Sequence, residues 1–154
     1  MIDNKTAPYA ALLLRVALGV MFIAHGLMKV FVFTLPGTAQ FFTSVGFPGW
    51  TAYPVTFLEI AAGALLVLGV YSRVGAAVMI PVLIGAATVH LGNGWVFSAP
   101  NGGWEYPVFL IVVAAVVALL GDGAGALKPA KVSRARIGAS LFEEEPGTSI
   151  QTQQ

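Results

Sequence analysis

Six titratable side chains interrupt stretches of sequence that are otherwise apolar: Arg15, His25, Lys29, Glu59, His90 and Glu105. In hydrocarbon such groups are costly, and they normally face a partner, a cavity or a transport path. Imidazoles carry protons near neutral pH. An ammonium group donates hydrogen bonds, and a carboxylate accepts them or pairs with a cation. Together these groups could hold a polar headgroup and exchange protons with it. In this reading His25, Glu59 and His90 handle protons, while Arg15, Lys29, Asn93 and Glu105 bind the ligand. No metal site is expected. The chain has no cysteine, which excludes disulfides, thiolate metal sites and a thiol relay of its own.

The elements that position these residues are apolar. Of 154 residues, 57% are hydrophobic and 10% charged, with a mean hydropathy of +0.83. A soluble domain carries about 25% charged residues, so lipid is the expected solvent. A net charge of +1 gives no electrostatic footprint for nucleic acid. Four apolar segments, about 9–33, 53–70, 74–90 and 106–120, predict four membrane-spanning helices in an all-α bundle. The first is too long for a signal-peptide core and contains Arg15, so it reads as a retained anchor.

Lys5, Arg73 and the group Lys128, Lys131, Arg134 and Arg136 flank these segments on one side, whereas 34–52 and 91–104 contain no Lys or Arg. The positive-inside rule then puts both termini and the Arg73 turn in the cytoplasm. Trp50, Trp95 and Trp104 fall beside the outer loops, and Tyr9 and Tyr71 at the inner ends, as in an aromatic belt. Residues 1–8 form a cytoplasmic N-terminus and 9–127 the membrane domain. The polar segment 128–154, with its acidic run at 143–145, is expected to be disordered. Phe41, Phe42 and Val45 lie at helical spacing within 36–48, which suits a short surface helix or an irregular loop.

On a helical wheel of about 100° per residue, Lys29 lies about 40° and His25 about 80° from Arg15, on one stripe. Lys29 is about 21 Å along the axis from Arg15. Alternating helix directions then bring His25, Lys29, Glu59, His90 and Glu105 to one level near the outer interface. Arg15 sits at the inner end with Asp122 as its expected mate. Gly19 and Gly26, a heptad apart, and Ala114 and Ala118 are suited to close helix contact. Pro81 should kink the third span and free a carbonyl.

Four motifs carry a resemblance. The first span reads LLLRVALGVMFIAHGLMKVF and the second LEIAAGALLVLGVYSRVG; the third ends in VHLGNGWVF and the fourth opens with GGWEYPVFLIVVA. In kind and order these resemble the DoxX family of small four-helix inner-membrane proteins, over about 12–121. The resemblance implies a multi-pass inner-membrane protein linked to quinone-dependent oxidation of sulfur compounds, or to complexes that handle thiol and oxidative stress. The family's polar positions map onto Arg15, His25, Lys29, Glu59, His90 and Glu105.

The combined expectation is a redox-linked membrane subunit with a polar small-molecule site in the outer half of the bundle. Quinone is the cofactor that site could take, and none is intrinsic. The chain shows no flavin, haem-c or iron–sulfur motif, so a second protein would supply the redox chemistry. Two histidines at one depth could serve as haem ligands, though Lys29 would crowd the slot. A small-solute transporter, a structural subunit without catalysis and a homo-oligomer stay open as alternatives.

Overall fold

A computed structural model describes residues 3–128. They form five α-helices and no strand: α1 (Ala7–Phe31), α2 (Leu35–Ser44), α3 (Ala52–Leu68), α4 (Ser72–His90) and α5 (Glu105–Leu120). Short 3₁₀ turns, Gly49–Thr51 and Leu91–Asn93, extend α3 at its start and α4 at its end. With these turns, α1, α3 and α4 span 25, 20 and 22 residues and are long and apolar enough to cross a membrane. The fourth apolar helix, α5, has 16 residues and is shorter than that. The polar tail expected at 128–154 lies, apart from Lys128, outside the described residues.

The long helices alternate in direction. α3 packs on α1 and α4, and α5 packs on α4 and α1, so the four close into a ring around Leu18, Phe22, Leu66, Met79, Leu83 and Leu110. Small residues set the α1–α3 distance. A Cβ added at Gly19 would lie 2.7 Å from the Gly63 carbonyl oxygen, and one added at Gly63 would lie 2.7 Å from that of Gly19. At Gly26 a Cβ would meet Ile60 at 2.6 Å. The glycines on α1 therefore let the two backbones touch. Ala114 on α5 is fully buried in the same core.

α2 is a helix, which resolves the earlier choice between helix and loop. Thr34, at φ 60, turns the chain sharply after α1, and its hydroxyl accepts from the Gly37 N–H. Thr38 hooks α2 back through hydrogen bonds to the carbonyls of Thr34 and Lys29. At the opposite end Asp3 organises the entry to α1. The Lys5 N–H and then the Thr6 hydroxyl donate to its carboxylate and hold it below its ordinary value of 3.8.

Arg15 is completely buried and holds that same end together. Nε donates to the Asp122 carbonyl at 2.6 Å, Nη1 to those of Leu66 and Val67 at 2.7 and 2.9 Å, and Nη2 to that of Ala124 at 2.9 Å. The expected partner Asp122 is met through its backbone carbonyl. Leu66 and Val67 belong to the last turn of α3, whose carbonyls need donors from outside the helix. Arg73 does the same for α5, donating to Ala118 and Leu120. The Asp122 carboxylate accepts from the Ser72 N–H at the start of α4. Residues 121–128 thus form a strap tied to α1 (Ala124 N–H to Pro8) and to the end of α3 (Leu127 N–H to Leu68).

Lysine offers one nitrogen where arginine offers three. Arg15→Lys should therefore leave buried carbonyls unpaired, at roughly 1–3 kcal/mol for each. The thermal unfolding midpoint in detergent should fall well below that of Arg73→Lys, whose arginine is exposed. Equal drops for the two variants would contradict the clamp.

Candidate functional site

At the other end of the α1–α3 contact, Lys29 leaves α1 in its last turn and Glu59 leaves α3 at the start of its third. The Lys29 ammonium donates to Glu59 Oε1 in an ion pair, with the two side chains 19% and 8% exposed. Gly26 is what brings them together: its missing side chain lets α1 settle against Thr56 and Glu59, 3.3–3.4 Å from where a Cβ would stand. The other carboxylate oxygen, Oε2, is buried with no hydrogen-bond partner. A buried acceptor in that state is costly and uncommon in packed protein.

The pair lies on the wall of a pocket of about 410 Å³. α2 and the residues after it give Phe41, Phe42, Val45 and Phe47; α3 gives Val55; α4 gives Pro81, Val82, Gly85, Ala86 and Val89. Apart from Thr51, the polar lining consists of Lys29, Glu59 and His90. A volume of this size falls in the roughly 300–1,000 Å³ range of small-ligand sites, which pair apolar walls with a few placed polar groups.

His90, the last residue of α4, stands 3.1 Å through Nδ1 from the carbonyls of both Asn101 and Gly102. Carbonyls only accept, so Nδ1 carries the proton and Nε2 remains as acceptor in the neutral ring. Asn93 donates to the same two carbonyls at 3.1 and 2.9 Å. The pair His90 and Asn93 therefore fixes the loop 94–104 against the end of α4. Asn101 and Gly102 at φ 66 and 77 turn both carbonyls toward it.

Lys29, Glu59 and His90 meet at one pocket. His25, Glu105 and Arg15 do not. His25 is exposed on the outside of α1, and its Nδ1 donates to the Met21 carbonyl one turn back at 2.9 Å. The buried face of α1 centres on Phe22, Gly19 and Gly26, and His25 lies past its edge. The same placement leaves His25 and His90 without a shared slot, contrary to the haem arrangement. Glu105 opens α5, where a carboxylate suits the helix N-terminus, and its Oε1 accepts from the Phe97 N–H at 2.7 Å. It borders a different hollow of about 530 Å³ with Trp95, Phe97, Tyr106, Val108, Phe109 and Val112. Arg15 is at the far end, with all three of its nitrogens on carbonyls.

Sequence reasoning did not anticipate the wall made by Phe41, Phe42, Val45 and Phe47, nor Gly85. The helical spacing of Phe41, Phe42 and Val45 was the available signal. It allowed a helix as one of two readings, and did not show the surface that helix would cover. Pro81, expected to kink the third span, lies inside the continuous helix α4 and lines the pocket.

The class defined by this fold and site is a small all-helical membrane protein with an internal ion pair beside an apolar pocket. The DoxX family model matches residues 10–91, more than half of the chain. The chain is also 36% identical over 128 residues to the protein named "Putative oxidoreductase CatD" of Bacillus subtilis (strain 168), a match covering 82% of this chain and 90% of that one. The chain belongs to the DoxX family. No solved structure matches it.

Removing one member of a buried pair leaves an uncompensated charge, whereas removing both need cost little; the single loss is about 3–5 kcal/mol in buried settings. Lys29→Met should therefore lower the unfolding midpoint more than Lys29→Met with Glu59→Gln together. Additive losses in that double-mutant cycle would argue against coupling.

Proposed function

We propose that this chain is a redox-associated subunit of the cell membrane that binds a quinone-like or small sulfur-containing molecule in the pocket between α2 and α4. The carrying observation is the Lys29–Glu59 pair set in the wall of an otherwise apolar pocket, with His90 at the same pocket. A quinone headgroup needs hydrogen-bond donors at its carbonyls inside an apolar cleft. Two protons of the Lys29 ammonium are not used by Glu59 Oε1 and can serve there. Glu59 is the group suited to proton exchange, with an oxygen lacking a protein partner. His90 presents Nε2 as a second hydrogen-bonding atom. In this reading Lys29 binds, Glu59 and His90 handle protons, and Asn93 holds His90 and the loop in place. Arg15, Glu105 and His25 take no direct part.

The related protein's name carries the word oxidoreductase, which supports a redox setting. The chain has no cysteine, so thiol chemistry would have to come from a substrate or a second protein. We therefore assign it a role as one member of a membrane assembly rather than as an enzyme acting alone.

The accompanying topology is four spans with both termini in the cytoplasm. At about 1.5 Å per residue α5 measures about 24 Å, short of the roughly 30 Å hydrocarbon layer. Residues 121–128 and the loop before Glu105 would cover the remainder. Reporter fusions at Asn101 and after Gly121 should then report opposite compartments; the same compartment at both positions rules this topology out.

Gentle purification followed by solvent extraction tests the function. Wild type should carry a quinone or related small molecule. Glu59→Gln and His90→Ala should lose it, and His25→Ala should keep it, with all variants inserting normally. Empty wild-type protein, or equal retention in all variants, would favour a structural subunit.

A further inference from the structure

The hollow beside Glu105 differs from the Lys29 pocket in its electrical balance. The Lys29–Glu59 pair is neutral as a unit, whereas among the described residues no cation pairs with Glu105. The hollow measures about 530 Å³ and is lined by the rings of Trp95, Phe97, Tyr106 and Phe109, with Glu105 as its one carboxylate and no Lys, Arg or His. The loop 91–104 and the start of α5, 105–112, also carry no Lys or Arg. Glu105 Oε1 accepts from the Phe97 N–H at 2.7 Å, and that neutral donor leaves the negative charge uncancelled.

The wall of this hollow is held in place before any ligand arrives. The Trp104 N–H donates to the Gly94 carbonyl and the Glu105 N–H to the Trp95 carbonyl, at 3.1 Å each, so the loop closes on itself. Gly103 lets the two strands of the loop touch: a Cβ there would lie 2.2 Å from the Val96 carbonyl oxygen. The Trp95 and Trp104 rings meet edge to face with centroids 4.4 Å apart, which fixes the Trp95 ring. His90 and Asn93 hold the other side of the loop through Asn101 and Gly102. An aromatic face attracts a cation within about 6 Å of its centroid, and rigid sets of such faces recognise quaternary ammonium groups.

We infer that the hollow is a second binding site, for a small organic cation of the quaternary ammonium class. The rings supply apolar faces of negative potential, and Glu105 supplies the balancing charge. The apolar substituents of such a cation suit these walls, where a metal ion would need more than one oxygen ligand. The occupant is a free cation rather than a zwitterionic lipid headgroup, because the phosphate of such a headgroup would find no Lys or Arg in the lining or in the loop. The site shares no lining residue with the Lys29 pocket and does not depend on the function proposed for it.

The test titrates the full chain, in a non-ionic detergent, with phenyltrimethylammonium and with its uncharged carbon isostere, tert-butylbenzene. Wild type should bind the cation at least about tenfold more tightly than the isostere. Glu105→Gln removes the charge but keeps an oxygen for the Phe97 N–H, so the loop stays closed. It should weaken the cation by about tenfold, as loss of a charge a few ångströms away implies, and leave the isostere unchanged. Phe109→Leu, on an exposed stretch of α5, removes a ring without touching the loop and should weaken the cation by about fivefold. It also serves as the deciding variant should Glu105→Gln fail to fold. Equal binding of cation and isostere makes the hollow a purely apolar groove and overturns the inference, as does a wild type that binds neither, or cation binding indifferent to both substitutions. Displacement of phenyltrimethylammonium by phosphocholine at equal concentration overturns the choice of a free cation in favour of a lipid headgroup.

Discussion

The contact of α1 with α3 at Gly19 and Gly63 governs both ends of the molecule. A side chain on either glycine would strike the other's backbone carbonyl at 2.7 Å, so the helices cross as near as backbones can. In lipid this closeness matters more than it would in water. Apolar helices there gain nothing by hiding from solvent, and association depends on packing and polar contacts. From this crossing Arg15 lies within reach of the last carbonyls of α3, and Lys29 within reach of Glu59. One interface carries a structural cation at one end and a titratable pair at the other.

The two cations on α1 illustrate how surroundings decide a role. Arg15 is delocalised, planar and multi-pronged, and it is fully used by carbonyls. Nothing remains on it for a ligand. Lys29 is a point charge on a flexible stem, partly exposed to a pocket, with donors to spare. Both residues satisfy the rule that charge inside a membrane must be partnered. Only Lys29 does so in a way that leaves chemistry available. The carboxylates divide likewise: Glu105 caps a helix and a loop, while Glu59 keeps an oxygen without a partner beside the pocket-facing ammonium.

Much of this was legible in the sequence because period and depth are simple quantities. Helical spacing on α1 and alternating helix direction were enough to bring Lys29, Glu59 and His90 together. The glycine heptad marked the α1 face that packs on α3. The reasoning failed where it needed the width of a buried face. His25 lies only about 40° from Lys29 on the wheel, yet it falls on the exposed side of α1, because the seam centred on Gly26 is narrow and the ring is drawn back to Met21. Arg15 was misjudged as a ligand group for another reason. The carbonyls that occupy it come from a strap at 121–128 whose path has no periodic signature. The wall of the pocket was hidden because α2 is short and the α4 residues opposite it, Pro81 to His90, lie two helices further along the chain.

The unpartnered oxygen of Glu59 sharpens what the pocket is for. A purely structural ion pair would favour an arrangement in which both carboxylate oxygens are satisfied, since the ammonium of Lys29 has donors left and hydroxyl side chains are common helix-to-helix glue in membranes. Thr56 lies one turn from Glu59 on α3, but its hydroxyl donates to the Ala52 carbonyl of its own helix. Glu59 Oε2 is thus left without a protein donor beside an apolar pocket. An oxygen left in that state supports the proposed reading of the pocket as a ligand site over that of a rivet between helices.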